Sequence, residues 1–301
     1  MKRPKIRAIV CLTFLPFMVQ SQPMMVGGIP LAVDFDAAAG TNSNVGQAQR
    51  ERDIINDRFI SVNVGAAYRR ELNALHGITA RGFFETEQDS EVRGLSRLTA
   101  GGQFSLRGQF SPGPIAPSYQ VNVTVQDDEY DHTQRDSTVY TAQLIGSKPL
   151  TDRITATTGI EYRNRDSSGT VFDLKQQSWF LNGTYALPPG WTIYGTYNFI
   201  YGDVWSTAQT KFCNGTVASD IYPLIVASSA IEPDDAFNNA FCGRWVAYRL
   251  SAHTNTLKIG VSKDIGNDMT LDFSALGVKV YAKGGNDYNT NIFRVGLSKR
   301  F

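Results

Sequence analysis

The stretch that decides the fold is Asn289–Phe301, NTNIFRVGLSKRF. Phe293, Val295 and Leu297 alternate with Arg294, Gly296 and Ser298, so a strand here has one apolar and one polar face. An antiparallel strand at the surface of a soluble core alternates in the same way. The stretch gains its meaning from the rest of the chain, which repeats the rhythm.

The other end of the chain reads as a secretion signal. A basic start (Lys2, Arg3, Lys5, Arg7) precedes an apolar run from Ala8 to Val19 and a polar break from Gln20 to Pro23. That is the layout of a cleaved signal peptide, expected over residues 1–22. The run is too short for a membrane-spanning helix, which needs about 20 apolar residues. Cys11 falls inside this leader, so Cys213 and Cys242 remain for the exported chain and are expected to pair in an oxidising compartment.

Formal net charge is +1 with the charges interspersed, which gives no basic face for nucleic acid. No later run reaches 18 apolar residues, which excludes a helical membrane protein. With 27 Gly, 13 Tyr and 17 Phe against 3 His, the composition suits an aromatic, turn-rich β protein.

Period-2 runs bounded by turn residues predict twelve strands, near 29–40, 58–70, 78–87, 92–107, 118–127, 137–148, 153–164, 171–187, 191–204, 243–263, 268–282 and 290–301. Five connections are compact: ELNALHG, SPGPIAP, LTD, PPG and IGND. The others are polar and mostly longer, including TNSNVGQAQRERDIIND, DDEYDHTQRD and the large segment from Trp205 to Phe241. Leu276, Gly277 and Val278 interrupt the alternation and predict a bulge.

Several strands show their faces. Ile60, Val62, Val64, Ala66 and Tyr68 oppose Ser61, Asn63, Gly65, Ala67 and Arg69, and Tyr119, Val121, Val123 and Val125 oppose Gln120, Asn122, Thr124 and Gln126. Trp191 and Tyr201 share a face ten residues apart. At about 3.3 Å per residue and a tilt near 40° they stand about 25 Å apart along the membrane normal, the height of a lipid-facing band between two aromatic girdles.

With the signal, the twelve alternating strands, the short and long connections and a terminal Phe301, the chain resembles the Gram-negative outer-membrane β-barrel superfamily. The resemblance is architectural and covers nearly the whole mature chain. It implies one all-β domain over 23–301, an up-and-down barrel with both termini periplasmic, and a girdle containing Tyr68, Tyr119, Trp191, Tyr201 and Phe301. It also implies outer-membrane lipid and lipopolysaccharide as surroundings, and the barrel-assembly machinery as the partner of the C-terminal strand. Lys299 departs from the usual apolar position and can snorkel to the headgroups.

On the inward faces the sequence puts Arg81, Glu85, Arg97, Arg107, Glu161, Arg163, Lys258, Asp272 and Arg294. Such charges either line a water path and set its selectivity or pair across the wall, Arg81 with Glu85 and Asp272 with Arg294. The expected function is a porin-like channel for small polar solutes. The alternatives are a non-conducting barrel for surface interaction or lipoprotein or polysaccharide export, and a rim hydrolase using His132 with Ser137. No cofactor motif or zinc-type spacing is present in the sequence. The apolar stretch IYPLIVASSAI (Ile221–Ile231) in the longest connection needs cover, and the barrel mouth offers it as a constriction.

Overall fold

The computed structural model describes residues 24–26 and 29–301, so the expected signal peptide at 1–22 lies outside the described residues. Twelve strands form the wall: β1 (Ile29–Asn42), β2 (Asp57–Glu71), β3 (His76–Asp89), β4 (Arg97–Gln109), β5 (Ser118–Tyr130), β6 (Ser137–Pro149), β7 (Ile154–Ser167), β8 (Leu174–Leu187), β9 (Trp191–Lys211), β10 (Arg244–Gly266), β11 (Met269–Ala282) and β12 (Tyr288–Arg300). Each pairs antiparallel with its neighbour in sequence. The barrel closes where β12 meets β1, with Val295 opposite Ala39 and Arg300 opposite Asp34. Two short strands lie off this wall: Met24–Val26 folds back on β1, and Ala230–Pro233 pairs with β10.

The connections alternate between the two ends, and the two longest, of 14 and 32 residues, lie at the same one. At the turn end are 72–75, 110–117, 150–153, 188–190 and 267–268. The last is a tight turn in which Asn267 and Asp268 both adopt positive φ, the backbone that matches strand twist. At the loop end are L1 (43–56), L2 (90–96), L3 (131–136), L4 (168–173), L5 (212–243) and L6 (283–287).

The exterior is predominantly apolar. Ile60, Phe84, Leu144, Ile160, Leu181, Ile259 and Phe293 are all outward and exposed, Phe84 to 65%. Nothing in water would sustain that pattern around a whole barrel; it is the surface of a membrane-spanning one. Tyr68, Tyr119 and Trp191 face outward near the turn end, with the Lys263 ammonium 5.1 Å from the Trp191 ring centroid. Tyr201 faces outward near the loop end, together with Tyr140, Tyr162 and Tyr281. Lys299 lies over the ring of Phe301, 4.7 Å from its centroid.

Three elements differ from the sequence reading. Residues 205–211 continue β9 rather than opening a loop, and Trp205–Lys211 pairs with Arg244–Arg249 in a hairpin that runs past the rim. Residues 92–96 and 171–173 belong to L2 and L4, not to strands. Their apolar side chains, Val92, Leu95, Val171 and Phe172, mimic strand residues because they are buried beneath L5. No bulge occurs at 276–278, where Leu276, Gly277 and Val278 face Ile292, Asn291 and Thr290 in register. The alternation blurs there because the inward face itself turns apolar toward the loop end, at Val278, Val280 and Ala282, to pack against L5.

Candidate functional site: the lumen and its cap

L5 contains helices α1 (Tyr222–Ala227) and α2 (Asp235–Ala240) and is closed at its base by the Cys213–Cys242 disulfide, with Cα atoms 5.3 Å apart. Ile221 and Leu224 pack on one face of the extended hairpin with Val204, Tyr248, Leu250, Val280 and Tyr288. The other hairpin face is covered too: Ala247 and Trp205 pack with Phe172 of L4, and Trp245 with Phe237 of α2, Val92 and Leu95. Phe237, Ala247 and Tyr248 are fully buried.

L5 also reaches around the rim. Arg52 of L1 donates two hydrogen bonds to Asp220, at 2.8 and 2.6 Å. Gln134 of L3 donates to the Pro233 carbonyl at 3.0 Å, and Thr170 of L4 donates its backbone N–H to Glu232 at 2.7 Å. The side chain of Ala227 abuts Gly284 of L6. A segment in contact with L1, L2, L3, L4 and L6 lies across the mouth they encircle. Of the apolar run Ile221–Ile231, Ile221 and Leu224 find cover there, whereas Tyr222, Val226 and Ile231 remain exposed.

One ion pair pins this cap. Arg135 of L3 donates to Asp234 at 2.7 Å, and both side chains are almost wholly buried, 5% and 0% exposed. The guanidinium lies against both Phe172 and Trp205, 4.1 and 4.3 Å from their centroids, where the two rings meet edge to face. In L1 the carboxyl of Asp53 is pushed upward from its ordinary pKa by burial, against the opposing pull of the Gln209 N–H hydrogen bond. That of Asp220 is held below its ordinary value by the hydrogen bonds from Arg52.

Below the cap the lumen is polar. Arg81 reaches from β3 to Asp34 on β1, Nη2 to Oδ2 2.6 Å, passing over Gly65 where a Cβ would overlap the guanidinium. Glu85 accepts from Arg97 at 3.0 Å, so the expected Arg81–Glu85 pair is replaced by two others. Asp272 accepts from the Tyr194 hydroxyl at 2.8 Å, with Gly260 between them leaving room for the ring. Arg294 lies opposite Ser274 and forms no ion pair with Asp272 among the described residues. Glu161 accepts from Gln143, Lys258 stands 5.5 Å from the Tyr194 centroid, Arg163 lies on the inward face of β7 opposite Thr141, and Arg107 pairs with Glu71 at the turn end.

The sequence reading singled out neither Asp34 nor Arg165, and it gave Asp128, Arg135 and Asp234 no partners. Asp34 was legible, since Asp34 and Asp36 alternate with Val33 and Phe35 in β1. The Arg165–Asp128 contact at 3.0 Å and the Arg135–Asp234 pair join residues far apart in sequence and had no local signal.

Cavities remain at both ends of the lumen. At the turn end one of about 500 Å³ is lined by Asp34, Asp36, Arg69, Arg81, Arg107 and Arg300 with hydroxyl and amide side chains. Beneath the cap one of about 260 Å³ is lined by Glu87, Asp89, Arg97, Arg165 and Trp205 among others. His132 is hydrogen-bonded to Asn239 at 3.2 Å, and the Ser137 hydroxyl accepts from Arg165 at 2.9 Å, so the two are not joined as nucleophile and base. No group of three or more His, Cys, Asp or Glu arranged for a metal occurs among the described residues.

No protein-family model matches this sequence, and no curated protein does. Among solved structures, the COG4313 outer membrane channel from Pseudomonas putida F1 superposes with a TM-score of 0.58 at 10% identity, over 96% of this chain and 100% of that one. The outer membrane channel DcaP of Acinetobacter baumannii gives 0.44 at 8% identity over 93% and 99%. The KdgM porin in complex with disordered oligogalacturonate gives 0.42 at 10% identity over 89% and 99%. What this chain shares with the first of these, over 96% of its length, is a fold: a closed antiparallel β-barrel.

Proposed function

We propose that this protein is an outer-membrane channel that passes small polar solutes by passive diffusion through a charged lumen. The observation that carries this reading is the interior itself: a closed barrel with an apolar exterior keeps an unfilled cavity of about 500 Å³ lined by charged and polar side chains. A barrel built only as a surface scaffold has no need to leave such space. L5 supplies the constriction at the loop end, which in this reading faces outward, with both termini periplasmic. Arg81, Glu85, Arg97, Arg107, Glu161, Arg163, Lys258, Asp272 and Arg294 line the path, partly as cross-wall pairs and partly as free charge. β12, which closes the barrel against β1, is the segment offered to the assembly machinery, and the Lys299–Phe301 contact sets it at the lipid headgroups.

Refolded protein in planar lipid bilayers tests this directly. Stepwise, reproducible currents carry the proposal; silence at all voltages sinks it. Silence would favour the second reading, a non-conducting barrel that presents the cap to a partner, which the exposed Tyr222 and Val226 on α1 support, Val226 being 82% exposed. No hydrolytic role is proposed, because Ser137 is engaged by Arg165 rather than by His132.

A further inference from the structure

The turn end of the lumen carries positive charge that its own acids do not neutralise. Asp34 is taken up by two hydrogen bonds from Arg81, and Glu71 beside the cavity by Arg107. That leaves Arg69 and Arg300 against Asp36 alone. Among the described residues neither Arg69 nor Arg300 forms an ion pair. In the loop-end cavity each arginine has a carboxylate partner instead: Arg97 has Glu85 and Glu87, Arg135 has Asp234, and Arg165 has Asp128. Of these two cavities, the turn-end one therefore holds the unpaired positive charge.

Two guanidinium groups without carboxylate partners, facing a cavity that also offers Thr79 and Gln103, match the fork geometry and charge of an oxyanion. The low-dielectric wall strengthens that attraction by focusing the field into the lumen. We propose that this cavity is a binding site for a small oxyanion of carboxylate or phosphate chemistry, held by Arg69 and Arg300. The site rests on the reading of the barrel as a channel, in which it selects the solute. Arg81 and Arg107, each already bound to an acid, shape the walls and contribute less.

Two measurements on the refolded protein separate the site from the channel. Calorimetric titration in detergent with inorganic phosphate and with citrate needs no current. Saturable binding of either supports the site and tells phosphate from carboxylate chemistry. Arg69→Gln and Arg300→Gln should each weaken it about tenfold, the effect of one charge-assisted hydrogen bond. Arg153→Gln, which removes the same charge from the exposed 150–153 turn, should leave it unchanged. Arg69→Lys keeps the charge but not the fork, so it should retain anion selectivity while binding more weakly, and it guards against a misfolded glutamine variant. In bilayers under a KCl gradient, the reversal potential should show anion preference that both glutamine variants reduce. Steady currents with cation preference, or binding and selectivity untouched by both variants, overturn the site and leave the channel standing. Silent bilayers overturn the channel, and the titration still decides the site.

Discussion

The two ends of this barrel solve opposite problems. At the loop end an extended hairpin is buried on both faces, by Ile221 and Leu224 on one side and by Phe172 and Phe237 on the other, so that the mouth holds a small core. At the turn end the connections are two to eight residues long and the lumen keeps an open, basic cavity. The wall is the same throughout: an antiparallel ladder with lipid outside. The difference lies in what the inward positions do once the wall is built. Near the loops those of β9 to β12 become apolar and bind a cap; near the turns they remain charged and bind one another or a solute.

The largest effect should come from breaking the buried pair that pins the cap. Asp234→Ala leaves Arg135 charged, buried and without its carboxylate, at a cost of about 3–5 kcal/mol to cap docking. Limited proteolysis should then cut within 212–243 while the barrel stays folded by its heat-shifted mobility in gels, and single-channel conductance should rise. A variant as protease-resistant as wild type would show that Arg135–Asp234 does not hold L5. Reduction of Cys213–Cys242 ranks next, since this cross-link spans 29 residues and contributes about 3–4 kcal/mol by loop entropy. Its loss should loosen the cap and raise current noise without altering selectivity, which the turn end sets; a selectivity change on reduction would erase the division between the ends.

The wall can be tested against both. Val64→Arg puts a charge on the lipid face of β2 and should cost about 2–4 kcal/mol near the bilayer midplane, read as a lower urea midpoint for the refolded barrel in vesicles. The same substitution at Val226, exposed on the cap, should change that midpoint little. The smallest effect concerns acid. Because Arg52 depresses the pKa of Asp220, this contact contributes stability that is present above the ordinary carboxylate value of 3.8 and is lost as pH falls through the depressed value. Exposed and screened, it amounts to less than about 1 kcal/mol. Asp53 acts with the opposite sign: its raised pKa means that protonation favours the docked loop as pH falls. Proteolysis of the Asp220→Asn variant should therefore lose only a slight acid sensitivity, and Asp53→Asn should protect L1 at neutral pH.

The strands were legible because a barrel wall obeys a local rule. Each residue of β5, from Tyr119 to Gln126, is apolar or polar according to whether it faces lipid or lumen, and no distant residue has to be known to see it. The rule failed where a third environment intruded. Val92, Leu95, Val171 and Phe172 look like strand residues but are buried under L5, and Val278 and Val280 break the alternation of β11 for the same reason. Lumen partners were legible only in part: inward placement of Arg81, Glu85 and Asp272 followed from period 2, whereas Asp34, Arg97 and Tyr194 as their partners did not.

By itself, then, the chain from Asn289 to Phe301 and its eleven fellow strands determined a closed antiparallel barrel, its lipid face and the cysteines that cross-link its longest loop. Those features depend on alternation, turn chemistry and residue count, which are properties of neighbours along the chain. Only the tertiary structure decided that L5 lies across the mouth, that Arg135 meets Asp234 there, and that Arg69 and Arg300 are left without acids. Closing the wall brings residues from opposite strands to face one lumen, and the pairing of charges across that space is set by side-chain reach and by competition among all the groups that share it.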